Sequence, residues 1–188
     1  MQARSRPVRF HSARYVGIAG GGSSSLHGAR RHARRMPHPE ATFAALHKRT
    51  EMKITVETTV GAPIVEVWKA YTSPADIMQW NAASDDWHTP SATVDLREGG
   101  AFSSRMEAKD GSMGFDFAGT YTKIVEHKLI AYAFGDRTAE VAFTPGPEGV
   151  QVQVSFDPEQ ENSPELQRQG WQSILDGFKR YVETKKRA

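Results

Sequence analysis

The sequence lacks cysteine altogether among its 188 residues. This absence excludes disulfides, thiolate zinc sites and cysteine nucleophiles, and it is typical of a reducing compartment, so we expect a cytoplasmic protein. Apolar runs are also short: none approaches the roughly 18 consecutive apolar residues of a membrane-spanning helix. The Gly-x-Ser-x-Gly motif of serine hydrolases is missing as well. The sequence therefore points away from several common enzyme classes and from membrane proteins.

Charge is present but unevenly distributed. Residues 1–51 contain 10 Lys+Arg and 2 acidic residues, a net charge of +8, out of chain totals of 24 and 22. Subtraction leaves 24 − 10 = 14 basic and 22 − 2 = 20 acidic residues in 52–188, a net charge of −6. The overall +2 thus combines a basic segment with an acidic domain, and it predicts no nucleic-acid partner for that domain.

Residues 1–51 have the composition of a disordered extension. They contain a Gly/Ser run at 20–25 and four arginines between positions 30 and 35, with few apolar residues to form a core. They also lack the apolar stretch of a secretory signal. Three interpretations stay open: an organellar transit peptide, a nucleic-acid-binding arm, or a dispensable extension with translation starting at Met52. We expect the folded domain to span 52–188.

Periodicity changes at Lys53 and predicts an α+β domain. Apolar residues alternate over 54–60 as in a half-buried strand, and two short helices follow, opened by Pro63 and Pro74. Ser73 is the expected N-cap of the second helix. A long amphipathic helix follows Ser163 at the other end of the domain. The predicted strands between these helices are Thr93–Arg97, Ala101–Ala108, Phe115–Val125, Leu129–Phe134, Arg137–Thr144 and Val150–Phe156.

Short turns between these strands indicate an antiparallel meander. A sheet of this length curls because its strands twist, and the long C-terminal helix is the element available to cover its concave side. We therefore predict a helix-grip arrangement, in which a curved antiparallel sheet wraps around that helix.

Five motifs carry a resemblance to a known family. They are Pro63-x-x-x-Val67-Trp68, Pro74-x-x-Ile77-x-x-Trp80, Asp95-Leu96-Arg97-Glu98-Gly99-Gly100-Ala101-Phe102, Gly119-x-Tyr121-x-x-Ile124, and Gly170-Trp171-x-x-x-Leu175-x-x-Phe178-x-x-Tyr181. In this order they resemble the activator of heat-shock-protein-90 ATPase homologue-like domain of the START/polyketide-cyclase (SRPBCC) superfamily, over about 53–184. The resemblance implies a helix-grip fold with a hydrophobic cavity between the long helix and the sheet.

Two features depart from the family pattern. Phe134 stands where many relatives have Trp, which changes the expected cavity lining. Residues 1–51 do not supply the additional domain that precedes this one in the eukaryotic co-chaperones. A chaperone partner is therefore not the first expectation for this chain.

Strand alternation predicts which side chains face the cavity. A set rich in aromatic residues, with one Ser, one Met and two Tyr, is typical of a pocket for a small hydrophobic or amphipathic molecule. We predict no cofactor, and the sequence leaves open whether the protein forms a homodimer. The predicted ligand-binding residues are Trp80, Trp87, Phe102, Ser104, Met106, Phe115, Phe117, Tyr121, Tyr132, Phe134, Trp171, Ile174, Leu175 and Phe178.

The stretch at 79–90, QWNAASDDWHTP, concentrates polar and aromatic residues. Asp85, Asp86 and His88 are too few and too closely spaced to predict a closed metal site. We interpret the stretch as a loop across the cavity mouth, with Trp80 anchored in the core and Trp87 as a lid or partner contact.

Three functions remain open from the sequence. The first is a non-catalytic binding module. The second is a cyclase- or hydratase-like enzyme that uses Tyr121, Tyr132, Asp86 and His88 as polar groups around a dry cavity. The third is a chaperone-associated domain that binds proteins on the outer surface of the sheet.

Two glycines on the last helix bear on the same question. Gly170 and Gly177 lie seven residues apart on one side of this helix. We expect them to pack the helix against a strand, or alternatively to leave room for a ligand.

Overall fold

The computed structural model describes residues 53–185, so the predictions for residues 1–51 lie outside the described part. Within 53–185 the elements are β1 (Ile54–Val60), α1 (Ile64–Thr72), α2 (Pro74–Trp80), β2 (Trp87–Val94), β3 (Ala101–Ala108), β4 (Gly114–Val125), β5 (Leu129–Phe134), β6 (Arg137–Gly146), β7 (Gly149–Phe156) and α3 (Pro164–Lys185).

All strands of this region join one antiparallel sheet in the order β1-β7-β6-β5-β4-β3-β2. From β2 to β7 each strand pairs with the next, and β1 closes the far edge against β7, with Ile54 opposite Phe156. The sheet curls because a meander of this length accumulates twist, and α3 is the helix that it encloses. The predicted α+β helix-grip fold is confirmed.

The most fully buried side chains cluster at one side of the interior. Fully burying a Phe or Val side chain contributes roughly 1.5–3 kcal/mol, so this cluster is a main source of stability. Its members lie on β1, α1, β5, β6, β7 and the second half of α3: Val60, Val67, Ile130, Val141, Val150, Val152, Phe156 and Phe178.

Both edges of the sheet are covered by neighbouring elements. On β1 the backbone oxygens of Thr55 and Glu57 accept hydrogen bonds from Arg168 Nη1 (3.0 Å) and Gln172 Nε2 (3.1 Å) of α3. On β2, Pro90 removes a backbone donor and Thr89 Oγ1 donates to the oxygen of Asn81. Such protection prevents an edge strand from pairing with another chain.

The C-terminal turns of α3 are fixed by two polar contacts. The buried carboxylate of Asp76 on α2 accepts hydrogen bonds from Tyr181 and from Lys185 Nζ, the latter at 2.6 Å. Glu183 Oε1 accepts from the backbone N–H of Gly61 at 2.9 Å, in the turn between β1 and α1. These contacts join the end of α3 to the short helices at the start of the domain.

One predicted strand was placed wrongly, and one predicted N-cap lacks its side-chain hydrogen bond. The first strand after the short helices is Trp87–Val94, not Thr93–Arg97. Its apolar and polar residues do not alternate cleanly because it contains Pro90 and shifts register between His88 and Ser91. Ser73 does occupy the N-cap of α2 but makes no side-chain capping hydrogen bond there.

The two glycines of α3 have different surroundings. A β-carbon on Gly177 would lie 3.1 Å from the backbone oxygen of Trp80, so this glycine packs against the end of α2. The prediction that this glycine packs against a strand was therefore wrong, because its partner is a helix. A β-carbon on Gly170, two turns earlier, would meet nothing within 4 Å.

This difference predicts opposite responses to alanine. Gly170→Ala should raise the free energy of unfolding by about 0.5–1 kcal/mol, because alanine favours a helix interior and the new methyl group enters open space. Gly177→Ala should gain less or lose stability, since the methyl group must displace the Trp80 carbonyl. Urea denaturation of both variants measures the difference, and an equal gain at both positions would contradict the assigned packing.

Candidate functional site

An aromatic surface lines the concave side of β3, β4 and β5. The Phe102 ring centroid lies 5.7 Å from that of Phe117 and 5.1 Å from those of Tyr121 and Tyr132. Phe117 in turn lies 6.0 Å from Trp171 of α3. The helix and this part of the sheet therefore meet through aromatic side chains.

Burial differs along this interior. Phe156 and Phe178 themselves are completely enclosed. Phe117, Trp171 and Ile174 face the same interior but are only half-buried, although they pack against the core. The region between α3 and β4 is therefore less tightly closed than the core beside it.

Three phenolic hydroxyls belong to this region. Tyr121 (8% exposed) and Tyr132 (6% exposed) lie opposite each other on β4 and β5. Tyr71 comes from α1, where its ring packs at 5.2–5.4 Å from those of Trp80, Phe143 and Phe178. Within residues 53–185 none of these hydroxyls has a hydrogen-bond partner.

Burial is the main cause of the pKa shifts of the three phenols. Burial raises the pKa of Tyr121 to about 12. Burial, and then the proximity of Tyr71 and Tyr121, raises the pKa of Tyr132 well above its usual value. Burial, and then Tyr121, likewise raises the pKa of Tyr71. All three phenols are therefore protonated at neutral pH and able to donate hydrogen bonds.

Most of the predicted site residues lie on this concave side. The buried members of the sheet are Phe102, Ser104, Met106, Tyr121, Tyr132 and Phe134, while Phe115 and Phe117 are half-buried. On α3, Trp171 and Ile174 are half-buried, and Leu175 and Phe178 are buried.

The two tryptophans of the 79–90 stretch lie in different places. Trp80 is buried at the end of α2, where its Nε1 donates to the oxygen of Ala70 at 3.0 Å and its ring packs 5.0 Å from Phe178. Trp87 lies at the start of β2, with its ring 5.9 Å from that of Phe115. The stretch is a loop only as far as Asp86, so its predicted loop conformation was wrong from Trp87 onward.

The charged residues of the same stretch do not join the phenols. Asp85 and Asp86 are exposed, and Asp86 accepts a hydrogen bond from Ser84. His88 pairs with Glu107 at 3.7 Å between the edge strand β2 and its neighbour β3, where both side chains are solvent-accessible. Across the described part of the chain, no three His, Asp or Glu side chains are grouped so that they could hold a metal ion.

Comparisons with known proteins assign the family. The family described as "Activator of Hsp90 ATPase homolog 1-like protein" matches residues 61–183. The solution structure of the AHSA1-like protein from Aeromonas hydrophila is 46% identical, covers 72% of this chain and 94% of its own, and superimposes with a TM-score of 0.68. The chain belongs to this family.

Two further structures extend the comparison of this AHSA1-like domain. A Cytophaga hutchinsonii protein is 48% identical and covers 72% of this chain and 94% of its own, with a TM-score of 0.62. A Nitrosomonas europaea protein is 20% identical and covers 74% of this chain and 99% of its own. It superimposes with a TM-score of 0.63 and shares the fold. No curated protein matches the chain.

Sequence reasoning missed Tyr71 of the AHSA1-like domain as a site residue. It belongs to the apolar stripe of α1 with Ile64, Val67 and Trp68, and this spacing predicts a core position. The available signal was the residue type, because a tyrosine in such a stripe brings a hydroxyl that needs a partner.

A separate groove of about 400 Å³ lies at the β1–α1 turn and the β6–β7 hairpin of the domain. It is lined by residues 61–64 and 145–150, mostly Gly and Pro, and the phenols are not part of it. In the part of the chain that the structure describes, no helix is long and apolar enough to cross a membrane.

Proposed function

We propose that this AHSA1-like domain binds a small apolar or amphipathic molecule between α3 and strands β2–β5, without transforming it. The fold is one known for ligand binding. The observation that carries the proposal is the partial exposure of Phe117, Trp171 and Ile174, which face the interior between α3 and the sheet. Apolar walls with a few polar groups are typical of small-molecule sites.

Tyr71 supports an enclosed space at this position. Three aromatic rings surround it, and burial raises the pKa of its hydroxyl, yet the residue keeps a fraction of accessible surface. Such a partly accessible aromatic side chain can border a ligand space between the elements.

The proposed entrance lies beside Gly170. The end of α2, at Trp80, packs against Gly177. Gly170 lies two helical turns earlier on α3, and a β-carbon placed there would enter open space. We propose that a ligand enters between this part of α3 and the loop 81–86. Trp87, at the start of β2, would border the opening as a lid residue.

The residues favour binding over catalysis. The inward-facing side chains of β3–β6 include no carboxylate or imidazole within the described range, so this wall offers the two tyrosines but no general base of the usual kind. Asp86 and His88, the polar groups of the enzymatic alternative, are exposed elsewhere.

The features described also favour ligand binding over a chaperone role. Among residues 53–185 the exposed large apolar side chains are Val65, Met78 and Val125, which lie on three different elements. Of these, Val125 alone belongs to the sheet, so the outer sheet surface described here offers little for protein binding. The proposal includes a cytoplasmic location, and it requires neither a second copy of the chain nor a chaperone.

Filling the proposed ligand space with a larger side chain tests the proposal. The uncharged fluorescent probe N-phenyl-1-naphthylamine should bind the unmodified protein and gain fluorescence. In Phe117→Trp its affinity should fall at least about tenfold, because the larger ring fills the space beside Trp171. Gly177→Leu is unsuitable for this purpose, since its side chain would meet the Trp80 backbone.

Val65→Trp is the matched control, because it adds the same ring at an exposed position on α1. Its probe affinity should equal that of the unmodified protein. Failure of the unmodified protein to bind the probe, or an equal loss in the Val65 variant, would overturn the proposed site.

A further inference from the structure

We propose that the ligand is uncharged and carries a hydrogen-bond-accepting oxygen, such as a ketone or ester carbonyl, that is bound by the hydroxyls of Tyr71, Tyr121 and Tyr132. This inference rests on the proposed function and names the chemical class of the molecule bound at that site.

The three phenolic hydroxyls lie in an interior to which β3–β5 contribute one other buried polar side chain, Ser104. A buried hydroxyl without a partner costs roughly 1–3 kcal/mol, and buried polar groups in proteins are generally hydrogen-bonded. Here three hydroxyls come from three elements, α1, β4 and β5; within residues 53–185 no protein group is hydrogen-bonded to them, and their oxygens keep some accessible surface. A bound molecule that excludes water from this space must therefore offer an acceptor to these hydroxyls.

The hydroxyls are hydrogen-bond donors, so the ligand group that binds them is an acceptor. Each phenol retains its proton, because burial raises its pKa, and a protonated phenol is a donor. The three do not bond to one another. A carbonyl oxygen has two lone pairs and can accept from two of them at once. The opposed positions of Tyr121 and Tyr132 on neighbouring strands suit such a pair of donors.

The surroundings disfavour a charged group on the part of the ligand that lies in the aromatic interior. Burying an ion requires a paired charge, and the inward-facing positions of β3–β6 in the described range provide none. Arg137 lies at the β5–β6 turn, where its guanidinium packs 4.6 Å from the Phe134 ring, and Arg168 binds the edge of β1. The burial that disfavours a phenolate at Tyr132 also disfavours a ligand carboxylate in the same space.

Three probes that share two phenyl rings test this inference. Benzophenone carries a central ketone, diphenylmethane lacks it, and 4-benzoylbenzoate adds a carboxylate. Displacement of N-phenyl-1-naphthylamine gives the affinity of each. We expect benzophenone to bind about tenfold more tightly than diphenylmethane, the effect of roughly one additional hydrogen bond, and at least about tenfold more tightly than 4-benzoylbenzoate.

A double variant, Tyr121→Phe with Tyr132→Phe, assigns the preference to the hydroxyls. It should bind diphenylmethane as the unmodified protein does and lose the preference for benzophenone. Tyr181→Phe is the matched control, because its hydroxyl bonds Asp76 outside the proposed site, and it should keep the preference. The ratio of benzophenone to diphenylmethane affinity in the unmodified protein tests the inference independently of any variant.

The outcomes separate this inference from the proposed function. If neither benzophenone nor diphenylmethane binds the unmodified protein, both proposals fail. If both bind with equal affinity, the cavity stands and the role of the phenols is overturned. If 4-benzoylbenzoate binds as tightly as benzophenone, the uncharged class is wrong. Retention of the ketone preference in the double variant would overturn the assignment to Tyr121 and Tyr132.

Discussion

Replacing Asp76 with alanine should lower the free energy of unfolding by about 2–4 kcal/mol. The Asp76 side chain is 5% exposed and joins α2 to the end of α3 through hydrogen bonds from Tyr181 and Lys185. Alanine removes the acceptor of both bonds, and Tyr181 loses its partner. The exposure of Lys185 keeps the loss below that of a fully buried ion pair.

The same contact predicts a pH dependence. Burial acts to raise the pKa of the Asp76 carboxyl, but the hydrogen bonds from Lys185 and Tyr181 and the charge of Lys185 together lower it below its usual value. A lowered pKa in the folded state gives stability that is complete above the unfolded pKa, about 3.9, and is lost as the pH falls through the folded pKa. The stability difference between the unmodified protein and Asp76→Ala should therefore narrow below about pH 4.

Urea denaturation at several pH values measures both effects. Glu140→Ala provides the control, because Glu140 is exposed on β6, and its stability should stay within about 0.5 kcal/mol of the unmodified protein. A loss for Asp76→Ala no larger than that of the control would show that the contact between α2 and α3 contributes little to folding.

Two alanine substitutions of phenylalanine should differ sharply in cost. Phe178→Ala should destabilise the domain by about 3–5 kcal/mol, because Phe178 is fully buried between Tyr71 and Trp80 and its removal leaves a cavity. Phe117→Ala should cost only about 1–2 kcal/mol, because Phe117 is half-buried and, under the proposed function, borders the ligand space. The comparison removes the same atoms from the closed core and from the proposed cavity wall.

Thermal and urea unfolding of both variants measure this difference. The stability of Phe117→Ala should in addition recover when diphenylmethane is present, because a ligand that fills the space stabilises the folded state. Equal losses in the two variants would mean that the interior is a uniformly packed core, and the proposed cavity would then be falsified.

The order of elements could be predicted from the sequence because most strands alternate strictly. Val150, Val152, Val154 and Phe156 are all buried, with more exposed residues between them. Such alternation determines which face of a strand is inside, so Phe102, Tyr121 and Tyr132 were placed on the concave side by parity alone.

Contacts between distant elements could not be predicted in the same way. The spacing of Gly170 and Gly177 shows that they share a side of α3, but the partner of that side depends on where α2 ends. The surroundings of the Tyr71 hydroxyl could not be predicted for the same reason. The apolar stripe of α1 shows which residues face inward, but not which residues they contact there. The start of β2 was missed because Pro90 and a register shift interrupt its pattern.

The position of β1 at the far edge of the sheet has a consequence for synthesis. Thr55 on β1 pairs with Ser155 on β7, 100 residues later, and α3 then binds the outer edge of β1. A ribosome that adds about 5–20 residues per second would leave β1 without its partner for about 5–20 s. During that interval the strand is exposed to other nascent chains, and Glu57 at its centre supplies a charge that opposes aggregation. We therefore expect the domain to fold only after α3 has left the ribosome, with the pairing of its first and last strands among the late steps.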